Sequence, residues 1–136
     1  MCHFLGNCLV SWFSKKQNSI SLSTTEAEYI ATENCCAQHL WMKHTLKDFG
    51  VVFDCVPIRC DNTSAINLTK NPVMHSKTKH IDVKHHFIRD LVCKKQICVD
   101  FVSTLDQLAD ILTKPLALDR FESLRNRLGI LKFTLP

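Results

Sequence analysis

The sequence predicts an α/β fold, a mixed sheet flanked by helices. Residues 24–49 carry the apolar spacing of one long helix. Short runs of strand-forming residues recur at 2–13, 56–60 and 97–102, each bounded by turn or breaker residues. Helical segments lie between and after them, so the order reads β-β-α-β-α-α-β-α-α. That order calls for helices packed against a mixed sheet.

The elements follow from their residues. Cys2, Phe4, Cys8, Val10, Trp12 and Phe13 favour extended backbone, so residues 2–13 read as a strand with turn-like Gly6-Asn7 inside it. Ser14 to Asn18 is a polar turn. Ile20 and Leu22 alternate with serines and are expected to form a second short strand that closes a hairpin. Ser23-Thr24-Thr25-Glu26 is a capping box, which starts the long helix, and Gly50 ends it. Pro57 excludes a helix, so Val56 to Cys60 reads as a strand with Asp61 at its end. Thr63 to Leu68 reads as a short helix, stopped by Asn71-Pro72. Asn62 is placed to cap it. The segment from Ile81 to Cys93 is expected to be a basic helix with Ile81, Ile88, Leu91 and Val92 facing inward. Ile97 to Val102 is a further strand. Leu105 to Leu112 is expected to be a helix ended by Lys114-Pro115. Leu118 to Leu128 completes the series as an amphipathic helix before Gly129.

Composition sets the class. The chain has 136 residues, 46% hydrophobic and 22% charged, the balance of a globular protein. One domain is expected over residues 1–130, with 131–136 as a tail. No run of about 18 apolar residues exists, which excludes a transmembrane helix by sequence. Met1 to Val10 lacks the basic start and cleavage site of a signal peptide. The eight cysteines therefore read as free thiols in a reducing compartment, most of them small hydrophobes in apolar runs. His75, His80, Cys93 and Cys98 do not have the spacing of a common zinc finger. The net charge is +4, and residues 70–95 alone hold seven Lys/Arg against Asp82 and Asp90. That stretch also carries His75, His80, His85 and His86. Local basic charge of this kind suits a polyanion.

Three acids occupy mechanically meaningful positions. Glu28 lies early in the long helix. Asp61 stands at the carboxyl end of a strand, where open α/β sheets place their sites. Asp110 follows the last strand. Carboxylates converging from different elements repel one another, and divalent cations relieve that repulsion. Trp12 and Trp41 read as core or hairpin anchors, and Tyr29 as a residue packing on the hairpin.

Five strings carry a resemblance. They are Val10-Ser11-Trp12-Phe13-Ser14-Lys15-Lys16-Gln17, Leu22-Ser23-Thr24-Thr25-Glu26-Ala27-Glu28-Tyr29, and Cys60-Asp61-Asn62-Thr63-Ser64-Ala65-Ile66. The others are Lys79-His80-Ile81-Asp82-Val83-Lys84-His85-His86-Phe87-Ile88-Arg89 and Leu108-Ala109-Asp110-Ile111-Leu112-Thr113-Lys114. Together, over residues 2–130, the chain resembles the ribonuclease H domain of a copia-type retrotransposon polyprotein.

The resemblance implies a ribonuclease H-like mixed sheet and a Mg²⁺-dependent endonuclease, a hydrolase cutting the RNA strand of an RNA–DNA hybrid. It implies two Mg²⁺ ions per site, with Mn²⁺ as an alternative, and Glu28, Asp61 and Asp110 as catalytic and metal-ligating acids. It further implies the polyprotein's reverse transcriptase as a partner, no membrane, and a cytoplasmic and nuclear location. The family's fourth acid sits on a first, central strand that this chain does not contain, and no acid precedes Glu26. The expectation is therefore a domain truncated at its front, with two sheet fragments and no activity as this chain alone. A non-catalytic nucleic-acid-binding module and the product of a decayed element stand as alternatives. Lys77, Lys79, His80, Lys84, His85 and Arg89 are the expected contacts to the hybrid, through phosphates rather than bases.

Overall fold

The structure, a computed structural model, describes residues 1–17, 20–21, 23–70 and 82–132, with 82–86 described by backbone alone. The chain divides into two compact units, residues 1–18 with 104–136, and residues 19–103.

In the first unit, β1 (Cys2–Leu5) pairs antiparallel with β2 (Cys8–Trp12). Leu5 faces Cys8, so Gly6-Asn7 forms a two-residue loop, and Gly6 takes φ +60°. The hairpin thus closes within residues 2–12, not between 2–13 and 20–22 as the sequence suggested. A glycine with positive φ at the first loop position gives the twist that a tight hairpin needs. Ile20 lies outside any strand and is 91% exposed. Leu22 falls outside the described residues. Mutual hydrogen bonds of 2.8 and 2.9 Å between the backbones of Met1 and Phe13 close the open end of the hairpin.

A 3₁₀ helix over Leu108–Leu112 replaces the helix expected over 105–112. Pro115 bars extension at the back, and the remaining segment has too few α bonds to offset the cost of nucleation. The tighter i→i+3 pattern appears in the bond from Asp110 N to Gln107 O, 3.2 Å. Helix α4 (Leu118–Arg127) follows where expected and buries Leu124 and, just beyond it, Leu128.

That second unit runs α1 (Thr24–Asp48), β3 (Val56–Cys60), α2 (Thr63–Lys70), α3 (Asp82–Cys93) and β4 (Ile97–Phe101). Strands β3 and β4 pair in parallel from Val56 opposite Ile97 to Cys60 opposite Phe101. Pro57 is tolerated because, among the described residues, one side of β3 makes no ladder bonds. The core is the cluster of Tyr29, Cys36, Ile58, Ile88, Leu91 and Ile97. Cys60, Ala65, Ile66 and Val99 extend it along the sheet. Ile88 and Leu91 face inward as their spacing predicts, and Ile81 lies outside the described residues.

Among the described residues there are two two-stranded sheets, one antiparallel and one parallel. This mixed α/β architecture is compatible with the ribonuclease H-like arrangement. No helix among the described residues is long and apolar enough to cross a membrane.

Three helices end alike. Gly50 N bonds Lys47 O and Val51 N bonds Leu46 O; Lys95 N bonds Val92 O and Gln96 N bonds Leu91 O; Gly129 N bonds Asn126 O and Ile130 N bonds Arg125 O. Each is a Schellman pair with a left-handed residue, at φ +77° for Gly50, +54° for Lys95 and +72° for Gly129.

Candidate metal centre

The placement of Glu28 begins with Ser23. Its hydroxyl accepts the Glu26 N–H at 3.1 Å and so starts α1, which sets Glu28 about one turn in. Asp61 follows the last residue of β3. Beyond it, Asn62 Oδ1 accepts the Ala65 N–H at 3.0 Å and starts α2, which is the cap read from the sequence. The start of α1 and the end of β3 thereby meet. One ligand atom each from Glu28, Cys60 and Asp61 all lie within 4.8 Å of one another. The two carboxylates are half-buried, and Cys60 is buried.

Cys60 registers the local field. Burial is the main force raising its thiol pKa, and the Glu28 and Asp61 charges raise it further. Hydrogen bonds from the Asn62 backbone and the Thr32 side chain act in the opposite direction. The Sγ accepts the Asn62 N–H at 3.5 Å, and the thiol reaches the Asn62 carbonyl at 3.7 Å. Cys60 is thus a neutral thiol engaged with backbone. Glu28 and Asp61 are the hard oxygen donors of the cluster, the kind that Mg²⁺ and Mn²⁺ prefer.

Asp110 belongs to the other unit. It is 3% exposed, and its carboxylate meets Lys114 Nζ at 2.8 Å and Arg120 at 2.9 Å. Arg120 also donates to the Thr104 carbonyl. The Asp110 charge is therefore compensated within its own unit.

Of the expected nucleic-acid contacts, Lys77, Lys79 and His80 lie outside the described residues. Lys84 and His85 are on α3, where only the backbone is described. Arg89, one turn further, is half-buried, and its positive charge bears on Tyr29. Tyr29 itself is fully buried among Cys36, Ile58, Ile88, Leu91 and Ile97. Trp41 is 63% exposed on α1, not the anchor its size suggested, and Trp12 is 61% exposed on β2.

Three participants escape a reading by motif alone. Cys60 joins the acids because alternation along β3 turns Ile58 and Cys60 to the buried face beside Asp61. Lys114 is signalled only by its place four residues after Asp110, the spacing of a helical ion pair. Arg120 comes from the next helix, and no local spacing announces it.

The comparisons with known proteins agree on one kind of relative. The chain is 42% identical over 130 residues, 95% of its length, to the retrovirus-related Pol polyprotein from transposon RE2 of Arabidopsis thaliana. It is 42% identical over 128 residues, 93% of its length, to that from transposon RE1 of the same plant. It is 40% identical over 121 residues, 89% of its length, to that from transposon TNT 1-94 of Nicotiana tabacum. The chain spans about 9% of the length of each of these curated relatives. No family model and no solved structure matches it. Along nearly all its length, the chain is similar to one short stretch of the retrovirus-related Pol polyproteins of plant transposons.

Proposed function

We propose that the chain is the ribonuclease H-like segment of a copia-type retrotransposon polyprotein, and that Glu28 and Asp61 hold a Mg²⁺ ion beside an RNA–DNA hybrid. The observation that carries this reading is the meeting of the two carboxylates from α1 and the end of β3, within 4.8 Å of each other and of Cys60. The similarity to Pol polyproteins supports it. The donor set fits a hard cation, since both carboxylates offer oxygen and Cys60 stays a thiol. When bound, such an ion supplies charge to activate water and to stabilise a leaving phosphodiester oxygen.

The chain's own residues then have defined tasks. Glu28 and Asp61 fix the cation. The family resemblance names Asp110 as a third acid, and in its own unit that carboxylate is held by Lys114 and Arg120. Lys77, Lys79, His80, Lys84, His85 and Arg89 contact phosphates and orient the hybrid. The fourth acid that the family resemblance implies is not among residues 1–136, in which no acid precedes Glu26. The polypeptide 1–136 therefore binds hybrid without cutting it, and catalysis requires an acid supplied from outside these residues, with the reverse transcriptase of the polyprotein as neighbour.

The test has three measurements on purified 1–136. Mn²⁺ titration should show binding that weakens at least about tenfold in Asp61→Asn; equal affinity removes the metal centre. Hybrid affinity should fall with rising salt, because phosphate contacts release counterions; a flat response removes the basic segment from the interface. Incubation of labelled hybrid with Mg²⁺ should leave the RNA intact. Cleavage that Asp61→Asn abolishes would overturn the non-catalytic part of the proposal.

A further inference from the structure

We infer that the Glu28–Cys60–Asp61 cluster is also a site for a thiophilic dication of the Zn²⁺ class, with Cys60 Sγ as a ligand beside the two carboxylates. The inference rests on the metal centre proposed above and names a second class of ion for it. Geometry is the first support. One ligand atom from each of the three residues lies within 4.8 Å of the other two. Zn²⁺ holds sulfur at about 2.3 Å and carboxylate oxygen at about 2.1 Å, which sets neighbouring ligands roughly 3.5 Å apart. Gathering the three atoms onto one ion thus takes shifts of about 1 Å, within reach of two half-buried carboxylates on rotatable bonds. Among the described residues, no other three His, Cys, Asp or Glu side chains converge so closely.

The strand places the sulfur. Cys60 ends β3 on its buried face, 4% exposed, and packs with Ala65, Ile66 and Val99. Its Sγ accepts the Asn62 N–H at 3.5 Å, which holds it at the turn that carries Asp61. The class of ion follows from the donors. Mg²⁺ takes the oxygens and leaves the thiol alone, whereas Zn²⁺ binds thiolate as well as carboxylate. Without a metal, burial and then the Glu28 and Asp61 charges favour the protonated thiol. A dication between the carboxylates offsets those charges, and a coordinating thiol gives up its proton. Cys60–SH and Zn²⁺ give Cys60–S–Zn⁺ and H⁺: the S–H bond breaks, the S–Zn bond forms, the proton leaves to solvent, and nothing is oxidised. The Asn62 N–H still donates to the bound sulfur, and only the 3.7 Å thiol contact to the Asn62 carbonyl is given up. The consequence is selectivity. Mg²⁺ has two protein ligands at this centre and Zn²⁺ has three, so Zn²⁺ displaces Mg²⁺.

The experiment uses the reduced full chain, with Co²⁺ as a coloured substitute for Zn²⁺. At one equivalent, the wild type should develop a near-ultraviolet sulfur-to-cobalt charge-transfer band, which added Zn²⁺ bleaches. Cys60→Ser should lose the band and keep its Mn²⁺ affinity within about twofold, because Mn²⁺ takes oxygen. Retained Mn²⁺ binding also shows that this buried variant folds. Zn²⁺ should release Mn²⁺ from the wild type at concentrations at least about tenfold lower than from Cys60→Ser. X-ray absorption of the Zn²⁺-loaded wild type, which needs no variant, should show one sulfur neighbour at about 2.3 Å. The inference is overturned by a zinc shell without sulfur, by one with two or more sulfurs, or by a cobalt band that survives in Cys60→Ser. In each of these cases, Mn²⁺ binding that Asp61→Asn weakens leaves the proposed centre standing. Mn²⁺ binding indifferent to Asp61→Asn overturns that reading and this inference together.

Discussion

Replacing Asp110 with Asn keeps the side chain's shape and removes its charge. The carboxyl is 3% exposed and accepts from Lys114 at 2.8 Å and Arg120 at 2.9 Å. A hydrogen bond to a charged group is worth about 1.5–3 kcal/mol when shielded from water. The Arg120 side chain is 31% exposed, which keeps its bond near the lower end of that range. Lys114 is 44% exposed, so solvent screening cuts its share to about 0.5 kcal/mol. Asp110→Asn should thus cost about 2 kcal/mol in the stability of its unit, a change of about 30-fold in an opening equilibrium. Tryptophan fluorescence is a poor reporter, since Trp12 and Trp41 are 61% and 63% exposed. Hydrogen exchange of peptides covering 104–130 reads the opening directly, and those amides should exchange about 30-fold faster. Arg120→Met should reproduce most of the effect and Lys114→Met little of it. Exchange within about twofold of wild type in Asp110→Asn, or equal costs for the two cation variants, would refute this reasoning.

Other consequences are as direct. Ile88 is fully buried, and Ile88→Ala should lower the unfolding free energy by about 3–4 kcal/mol in urea titration. Burial pushes the Cys36 thiol from 9.0 up to about 12, so folding favours its protonated form. That contribution is complete below pH 9 and disappears as pH rises towards 12, for a loss on the order of 4 kcal/mol at most. Urea midpoints taken from pH 8 upward should therefore fall, less steeply in Cys36→Ala. Tyr29, also raised by burial, adds to the decline at still higher pH. Gly50 sits at φ +77° with nothing within 4 Å of an added Cβ, so Gly50→Ala should cost about 1 kcal/mol from backbone strain alone.

Much of the fold was legible where local signals agreed. Ser23 and Gly50 bracket α1 because caps act on the nearest backbone groups, and neither depends on the rest of the molecule. Asp61 at the end of β3 and Asn62 at the start of α2 were readable for the same reason. The failures came where a short signal competed with a longer pattern. Gly6-Asn7 set the hairpin, while the alternation around Ile20 built nothing in the described chain. Tyr29 was expected against the hairpin, yet its ring fills the space between α1, β3, β4 and α3. The neighbours of a large side chain are decided by tertiary packing. The candidate site divides in the same manner. Position set Asp61 at the end of β3 and Glu28 early in α1, but it was the family resemblance that singled the two out as site residues. The cations that hold Asp110 include Arg120, ten residues away and outside any helical spacing.

Lys95 takes, at the exit of α3, the left-handed place that glycine fills at the exits of α1 and α4. Only residues 94–96 separate α3 from β4, so the chain must reverse there whatever residue it carries. The backbone geometry is the same at all three helix exits, but one of them is filled by a side chain poorly suited to it. Substituting Lys95→Gly should raise stability by about 1 kcal/mol, offset in part by the greater freedom of glycine when unfolded. The exit is thus dictated by connection length rather than by residue identity, and this position is open ground for drift and for engineering.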